Sequence, residues 1–536
     1  MDFYGNINLK DNEMQKLVFE QETSFPVDAV VGSIVFKDNT LYMCVALNVA
    51  DPIWIPLTSS IDTYVHEQNA ASTTWTITHS LGEENIVLQV YNDSNDMIIP
   101  DTVTPTDTNE IVMTFGTAIT GRAILMFGDT IPANGIGIID PAIIGILLFT
   151  LDNPNFDGAS AGDDYGFAVA VDGNVVVVSS ISDDGGGTVY VFDTTLGSLT
   201  HTLINPTPYG TRISDNFGSS VAISGNNIII GAQGEDDAGG LNSGKAYIYN
   251  ATTGALIHTI DNPNAGGGSA GDIFGDSVAI DGNNAIVGAY SDDAGGSSSG
   301  TAYIFNVTTG ALVHTLANPN AFGTVTDDRF GYAIDISGNN AIVGAWREDG
   351  AGGTDSGKAY IFNVTTGALV HTLDNPNAFG TSGGDDFGYH VAISGNNATV
   401  CAPFEDDASG SAAGKAYIFN VTTGALVHTL DNPNAFGTGG SDIFGRSGVA
   451  MSDSNVIIGT HNESDPGGTN AGKAYMFDVA TGTLIFTFDN PNSFGTSDSD
   501  FFGWSVGIDD NNVIVGAIGE DDITGLDAGN AYLFGI

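Results

Sequence analysis

Seven acidic clusters recur along this chain beyond residue 180: Asp183-Asp184, Glu235-Asp236-Asp237, Asp292-Asp293, Glu348-Asp349, Glu405-Asp406-Asp407, Glu463 with Asp465, and Glu520-Asp521-Asp522. Each sits in a Gly-rich stretch. Carboxylates grouped in this way have the chemistry to hold a hard cation, Ca2+ above all, which takes about six to eight oxygen ligands. The same clusters also read as solvated, mutually repelling turns that hold nothing. A second acidic set precedes an aromatic-Gly pair: Asp163-Asp164, Asp215, Asp272, Asp327-Asp328, Asp385-Asp386, Asp442, and Asp498 with Asp500.

Other reactive side chains offer less. His201, His258, His314, His371 and His428 occupy one position of a repeat, too far apart to share a metal, and read as structural or solvent-facing. Lys245, Lys358, Lys415 and Lys473 lie just after the acidic loops, where local ion pairs are expected. The chain has no nucleophile elbow, no zinc-ligand spacing and no Ser-x-Asp-x-Gly-x-Thr-Trp box. A protein without enzymatic activity is expected. Net charge is −52, from 64 acidic and 12 basic residues. Nucleic-acid binding needs a basic footprint and is excluded on that ground. Binding to anionic membrane surfaces is excluded likewise, and no stretch is long and apolar enough for membrane insertion. Cys44 and Cys401 lie in different regions and read as small buried hydrophobes, not as a disulfide pair.

The elements that must position the acidic loops belong to a unit of roughly 57 residues present seven times, marked by Tyr165-Gly166, Phe217-Gly218, Phe274-Gly275, Phe330-Gly331, Phe387-Gly388, Phe444-Gly445 and Phe502-Gly503. Four short strands are predicted per unit. In the third they are Phe274 to Ile280, Ala285 to Ala289, Ala302 to Asn306 and Ala311 to Leu316, with a Gly-Asn-Asn turn, the acidic loop and a Thr-Thr-Gly turn between them. The last unit stops after its third strand at Ile536, and the missing fourth precedes the first unit at Ile146 to Leu151. A sheet completed from the other end of the domain closes a ring and removes its edges. The fold class is therefore all-β, with a C-terminal seven-bladed β-propeller over 146–536 closed by an N-terminal fourth strand. In that topology the loops after second strands and between blades share one carboxylate-rich face. The opposite face carries short, nearly uncharged turns.

The run Asp-x-Phe-Gly-x-x-Val-Ala-Ile followed by Ile-Val-Gly-Ala resembles the FG-GAP repeat of integrin-type seven-bladed propellers and many bacterial surface proteins. In that family Ca2+ often occupies an Asp-x-Asp-x-Asp-Gly loop between the first and second strands. Here the loop is Ser-Gly-Asn-Asn or a relative of it, so that site is not carried over.

Residues 1–145 hold no copy of the repeat. They read as a β attachment module (1–60) with a hairpin over 32–45, a small antiparallel β-sandwich (61–128) and a linker (129–145) rich in Ile, Gly and Pro. Gly5-Asn6-Ile7-Asn8-Leu9, Gly32-Ser33-Ile34-Val35-Phe36, and Thr73-Thr74-Trp75-Thr76-Ile77 with Val87-Leu88-Gln89-Val90-Tyr91 resemble pieces of tailed-phage fibre and virion structural proteins. The resemblance implies attachment to other virion proteins through residues 1–128, and a homotrimer is compatible with it. Met1 to Lys10 has neither a basic n-region nor an apolar h-region, so synthesis in the host cytoplasm without a signal peptide is expected. These readings converge on a phage virion protein, a tail fibre or receptor-binding protein whose propeller meets a host-surface glycan or protein. A head fibre or decoration protein is one alternative; a cellular FG-GAP adhesin is another. The fourth strand's direction puts the linker on the uncharged side, so the acidic face is expected to point away from the N-terminal modules.

Overall fold

The computed structural model describes strand backbone within residues 34–127, and residues 145–536 apart from 155–161, 207–213, 237–239, 265–269, 320–324, 351–352, 377–382, 407–411, 434–441, 465–468, 492–498 and 521–527. It divides into two compact units, Met1–Asp140 and Pro141–Ile536. The predicted linker 129–145, Gly145 excepted, lies outside the described residues.

In the first unit, strands Ile34–Lys37, Thr40–Leu47 and Pro52–Leu57 form an antiparallel sheet whose hairpin register pairs Lys37 with Thr40. A second sheet is built on the long strand Glu110–Phe127, which pairs with Asp62–Thr78, Val87–Asn92 and Thr102–Asp107.

The second unit is a ring of seven four-stranded antiparallel sheets. In the third blade the strands are Val278–Asp281, Asn284–Ala289, Thr301–Asn306 and Leu312–Ala317, paired in chain order. First strands of successive blades pack against one another around the axis, and the seventh meets the first. Burial follows strand position. Second and third strands are buried on both faces between neighbouring blades, which is why they read as continuous apolar runs. Fourth strands form the rim, and only their inward residues, such as Leu316, are covered. Closure is as the permuted ends predict. Ile146–Asp152 pairs antiparallel with Asn530–Gly535, in register from Gly535↔Ile146 to Asn530↔Asp152.

Neighbouring blades are locked together around the buried aromatic residue of each aromatic-Gly pair. Phe274 is fully buried, with edge contacts to Tyr303 and Phe305 at centroid distances of 5.8 and 6.1 Å. Gly300, at the end of an acidic loop, bridges in parallel to Phe330 of the following blade. Its φ is +78°, and a Cβ there would sit 2.0 Å from the Phe330 carbonyl oxygen, so only glycine fits. This stitch places the loops after second strands and the inter-blade loops on one face. Cys401 is buried and free, and burial pushes its thiol pKa up.

Candidate functional site

The acidic loops do not form an open ring of carboxylates. Their first acidic residue turns inward in every blade and accepts a hydrogen bond from the third-strand tyrosine. Tyr190 reaches Asp183 at 2.5 Å, Tyr303 reaches Asp292 at 2.6 Å, and Tyr475 reaches Glu463 at 2.6 Å. Tyr360 bonds Glu348 and Tyr417 bonds Glu405 through both carboxylate oxygens, while Tyr247 and Tyr532 hold Glu235 and Glu520. All seven acids are essentially inaccessible to solvent. The expectation of solvated, mutually repelling turns is corrected at these seven positions: a buried phenol supplies the donor that water would otherwise give.

The inter-blade acids are held in the same way. The Asn of each Asn-Pro pair, at the end of the preceding fourth strand, donates to them: Asn205 to Asp215 at 2.8 Å, Asn262 to Asp272 at 2.9 Å, Asn318 to Asp328 at 2.8 Å, and Asn490 to Asp500 at 2.8 Å. Asn264 donates to both Asp272 and Asp292 and so ties the two carboxyls of one blade together. Burial chiefly, and then the neighbouring carboxyl, pushes Asp272 up to about 6 and Asp328 up to about 7. Burial likewise lifts Glu405, Glu463 and Glu520 to about 7, against the hydrogen bond from tyrosine, which lowers them.

The second acid of each described loop holds its own turn. Asp236, Asp293, Asp349 and Asp406 accept the backbone N–H of Asn242, Ser298, Asp355 and Ala412 at 2.9, 2.6, 3.2 and 2.9 Å. Those four residues have left-handed backbone, with φ between 48° and 52°. In the sixth blade Ser464 serves Asn470 instead. The side chains of Asp184, Asp237, Asp407, Asp465, Asp521 and Asp522 lie outside the described residues. Among the described residues no three His, Cys, Asp or Glu side chains converge to hold a metal ion.

The lysines pair across the sheet with the aspartate ending the fourth strand: Lys245 with Asp261, Lys358 with Asp374, Lys415 with Asp431, and Lys473 with Asp489. The histidines latch blade to blade. Nε2 of His201, His258, His314 and His371 lies 3.0 Å from the carbonyl oxygens of Thr252, Thr308, Thr365 and Thr422, and His428 meets Ala480 at 2.9 Å.

A group that the sequence reading passed over lies where the same face meets the axis. The residue after the Phe-Gly pair is Phe167, Ser219, Asp276, Tyr332, Tyr389, Arg446 or Trp504 in successive blades, six residue types in seven near-identical units. The residue after the second strand varies in the same way: Ile181, Gln233, Tyr290, Trp346, Pro403, His461 and Ile518. From the third blade to the sixth these positions join into one cluster. Tyr332 packs on Tyr290, Trp346 and Tyr389 at 5.3, 5.7 and 5.1 Å between centroids, and its hydroxyl lies 3.1 Å from that of Tyr389. Three guanidiniums cover ring faces: Arg329 over Tyr290 at 5.2 Å, Arg347 over Trp346 at 5.2 Å, and Arg446 over Phe404 at 5.8 Å. Asp327 pairs with both Arg329 and Arg347. The rings are half-buried. In the blades that follow, Trp504 packs on His461 at 4.7 Å and on Phe167 at 5.8 Å. Burial holds His461 and His390 down at about 4, so both are neutral at pH 7. The signal for this cluster was variation at two positions of an otherwise uniform repeat.

Comparison with known families defines the class. The FG-GAP repeat family matches six segments, residues 207–249, 264–305, 321–362, 378–419, 435–477 and 495–534. The matched segments fall in the second to seventh blades. The second unit thus carries FG-GAP repeats in its second to seventh blades and folds as a seven-bladed β-propeller. No curated protein matches the chain.

Proposed function

We propose that this chain is a surface-binding protein of the adhesin type, which presents its propeller to a cell surface and performs no catalysis. One observation carries this reading. Positions that build the ring are nearly the same from blade to blade, whereas those at the axial mouth differ in almost every blade. Residues released from the fold's requirements in this way are the ones available for recognition. The buried carboxylates of the acidic loops are already committed to third-strand tyrosines and so are not free to act as a general acid or base.

The finer reading is a virion structural protein, a tail fibre or receptor-binding protein held to other virion proteins through residues 1–128. Its support is the resemblance of that region to phage fibre modules. The chain also enters the propeller at Gly145, bonded to the Gly535 carbonyl at 2.8 Å on the face opposite the acidic loops. The acidic face and its axial mouth are the surface that this reading assigns to a host glycan or protein. The test is saturable binding of labelled full-length chain to a panel of intact bacterial cells, competed by unlabelled chain. Binding to none of the strains would overturn the proposal. Immunolabelling of purified particles with an antibody to the propeller separates tail from head, and labelling of uninfected cells favours the cellular adhesin.

A further inference from the structure

We infer that the aromatic and arginine cluster at the axial mouth, formed by Tyr290, Tyr332, Trp346, Tyr389, Phe404 and Arg446, is a carbohydrate-binding site. The inference rests on the surface-binding reading and gives it a site and a ligand class.

The chemistry of the cluster narrows its ligand by elimination. A nucleic acid is excluded by the net charge of −52. A cationic side chain is disfavoured because the ring faces already carry the protein's own guanidiniums, Arg329 on Tyr290, Arg347 on Trp346 and Arg446 on Phe404. A further cation would have to compete with them for the same ring faces. A purely apolar partner would strand the phenols of Tyr332 and Tyr389 and three guanidiniums away from water. What remains is a ligand with an apolar ring face and a polar edge. A pyranose sugar has both: C–H groups that stack on an aromatic ring, and hydroxyls for phenol and guanidinium.

One detail favours a bound group over mere packing. Arg329 and Arg347 share the carboxylate of Asp327, whereas Arg446 forms no ion pair among the described residues. Arg446 is thus placed to meet a sugar hydroxyl or the carboxylate of an acidic sugar.

The test exploits the repeat itself. Blade two carries Ser219 and Gln233 at the positions of Tyr389 and Trp346, so Tyr389→Ser and Trp346→Gln install residues the fold already accepts. Full-length wild type and the double variant are applied to a printed array of neutral and uronic-acid oligosaccharides, and to cells that the wild type binds. The expected result is glycan binding by the wild type, weakened at least tenfold in the double variant, with an unchanged melting temperature. Arg446→Ser distinguishes the sources: loss confined to uronic-acid glycans assigns it to a carboxylate, and equal loss on both sets assigns it to hydroxyls. Undiminished glycan or cell binding by the double variant, or cell binding by the wild type with no glycan bound on the array, overturns the site. Absence of cell binding by the wild type overturns instead the reading on which it rests.

Discussion

The phenol of Tyr417 donates to both oxygens of Glu405, at 2.7 Å each, and the carboxylate is wholly buried. Twelve residues and one loop separate the two, and the same spacing joins Glu235 to Tyr247, Glu348 to Tyr360, Glu463 to Tyr475 and Glu520 to Tyr532. The acidic loops are thus pinned to the blades by repeated buried contacts.

Removing the donor should cost more than neutralising the acceptor. Tyr417→Phe leaves a buried carboxylate without its phenol, and a loss of about 1–3 kcal/mol is expected. Glu405→Gln keeps the shape and removes a charge that burial disfavours, so a smaller loss is expected at pH 8. Urea denaturation of both variants checks the order; an equal or larger loss for Glu405→Gln would contradict it.

Stability should rise as pH falls from 8 to 5. Glu405, Glu463 and Glu520 move from 4.5 to about 7 in the folded state, and Asp328 moves from 3.8 to about 7. A carboxyl with raised folded pKa stabilises the fold fully below its unfolded pKa, and loses that contribution as pH climbs toward 7. Each group is worth on the order of 3 kcal/mol across that window. His390 and His461, held at about 4, act in the opposite sense, because the unfolded chain takes up their protons first below pH 6.5. The carboxyls outnumber them. Calorimetry at pH 5, 6.5 and 8 is expected to give a melting temperature that falls with pH.

Chelation should leave the propeller unmoved. Both acidic positions of the described loops are spent on tyrosine hydroxyls and on backbone N–H groups at left-handed residues. Dialysis against EDTA is expected to shift the melting temperature by less than about 2 °C, well short of the effect of a ligand saturating several sites. Stoichiometric Ca2+ binding in a titration calorimeter would reverse this conclusion.

Two glycines with similar backbone conformation should respond differently. Gly338 (φ +56°) has open space around it, and Gly338→Ala is expected to cost about 1–2 kcal/mol from conformation alone. Gly300→Ala adds a clash with the Phe330 carbonyl and breaks the stitch to the next blade. A loss above about 3 kcal/mol is expected in chemical denaturation.

Much of the ring was legible in the sequence, because the strands carry their own periodicity and the fourth strand stands visibly at the wrong end. The acidic face was legible only as charge. Sequence shows that Glu405 is ionisable but not that Tyr417 folds over it, although a Glu-to-Tyr spacing of 12 repeated in five blades carried that information. The axial cluster was missed for the opposite reason. A search for what recurs draws the eye to Phe387-Gly388 and past Tyr389, whose interest lies in differing from Ser219 and Asp276.

The closing strand also decides how the ring bears load. Ile146–Asp152 begins at Gly145 on one face and ends beside the acidic loops on the other, hydrogen-bonded along its length to Asn530–Gly535. A pull on Gly145 against a partner held at the acidic face runs along that strand. Its ladder bonds are then strained together in shear and do not open one after another like a zip. The seam that completes the circle therefore resists such a pull with all of its ladder bonds at once.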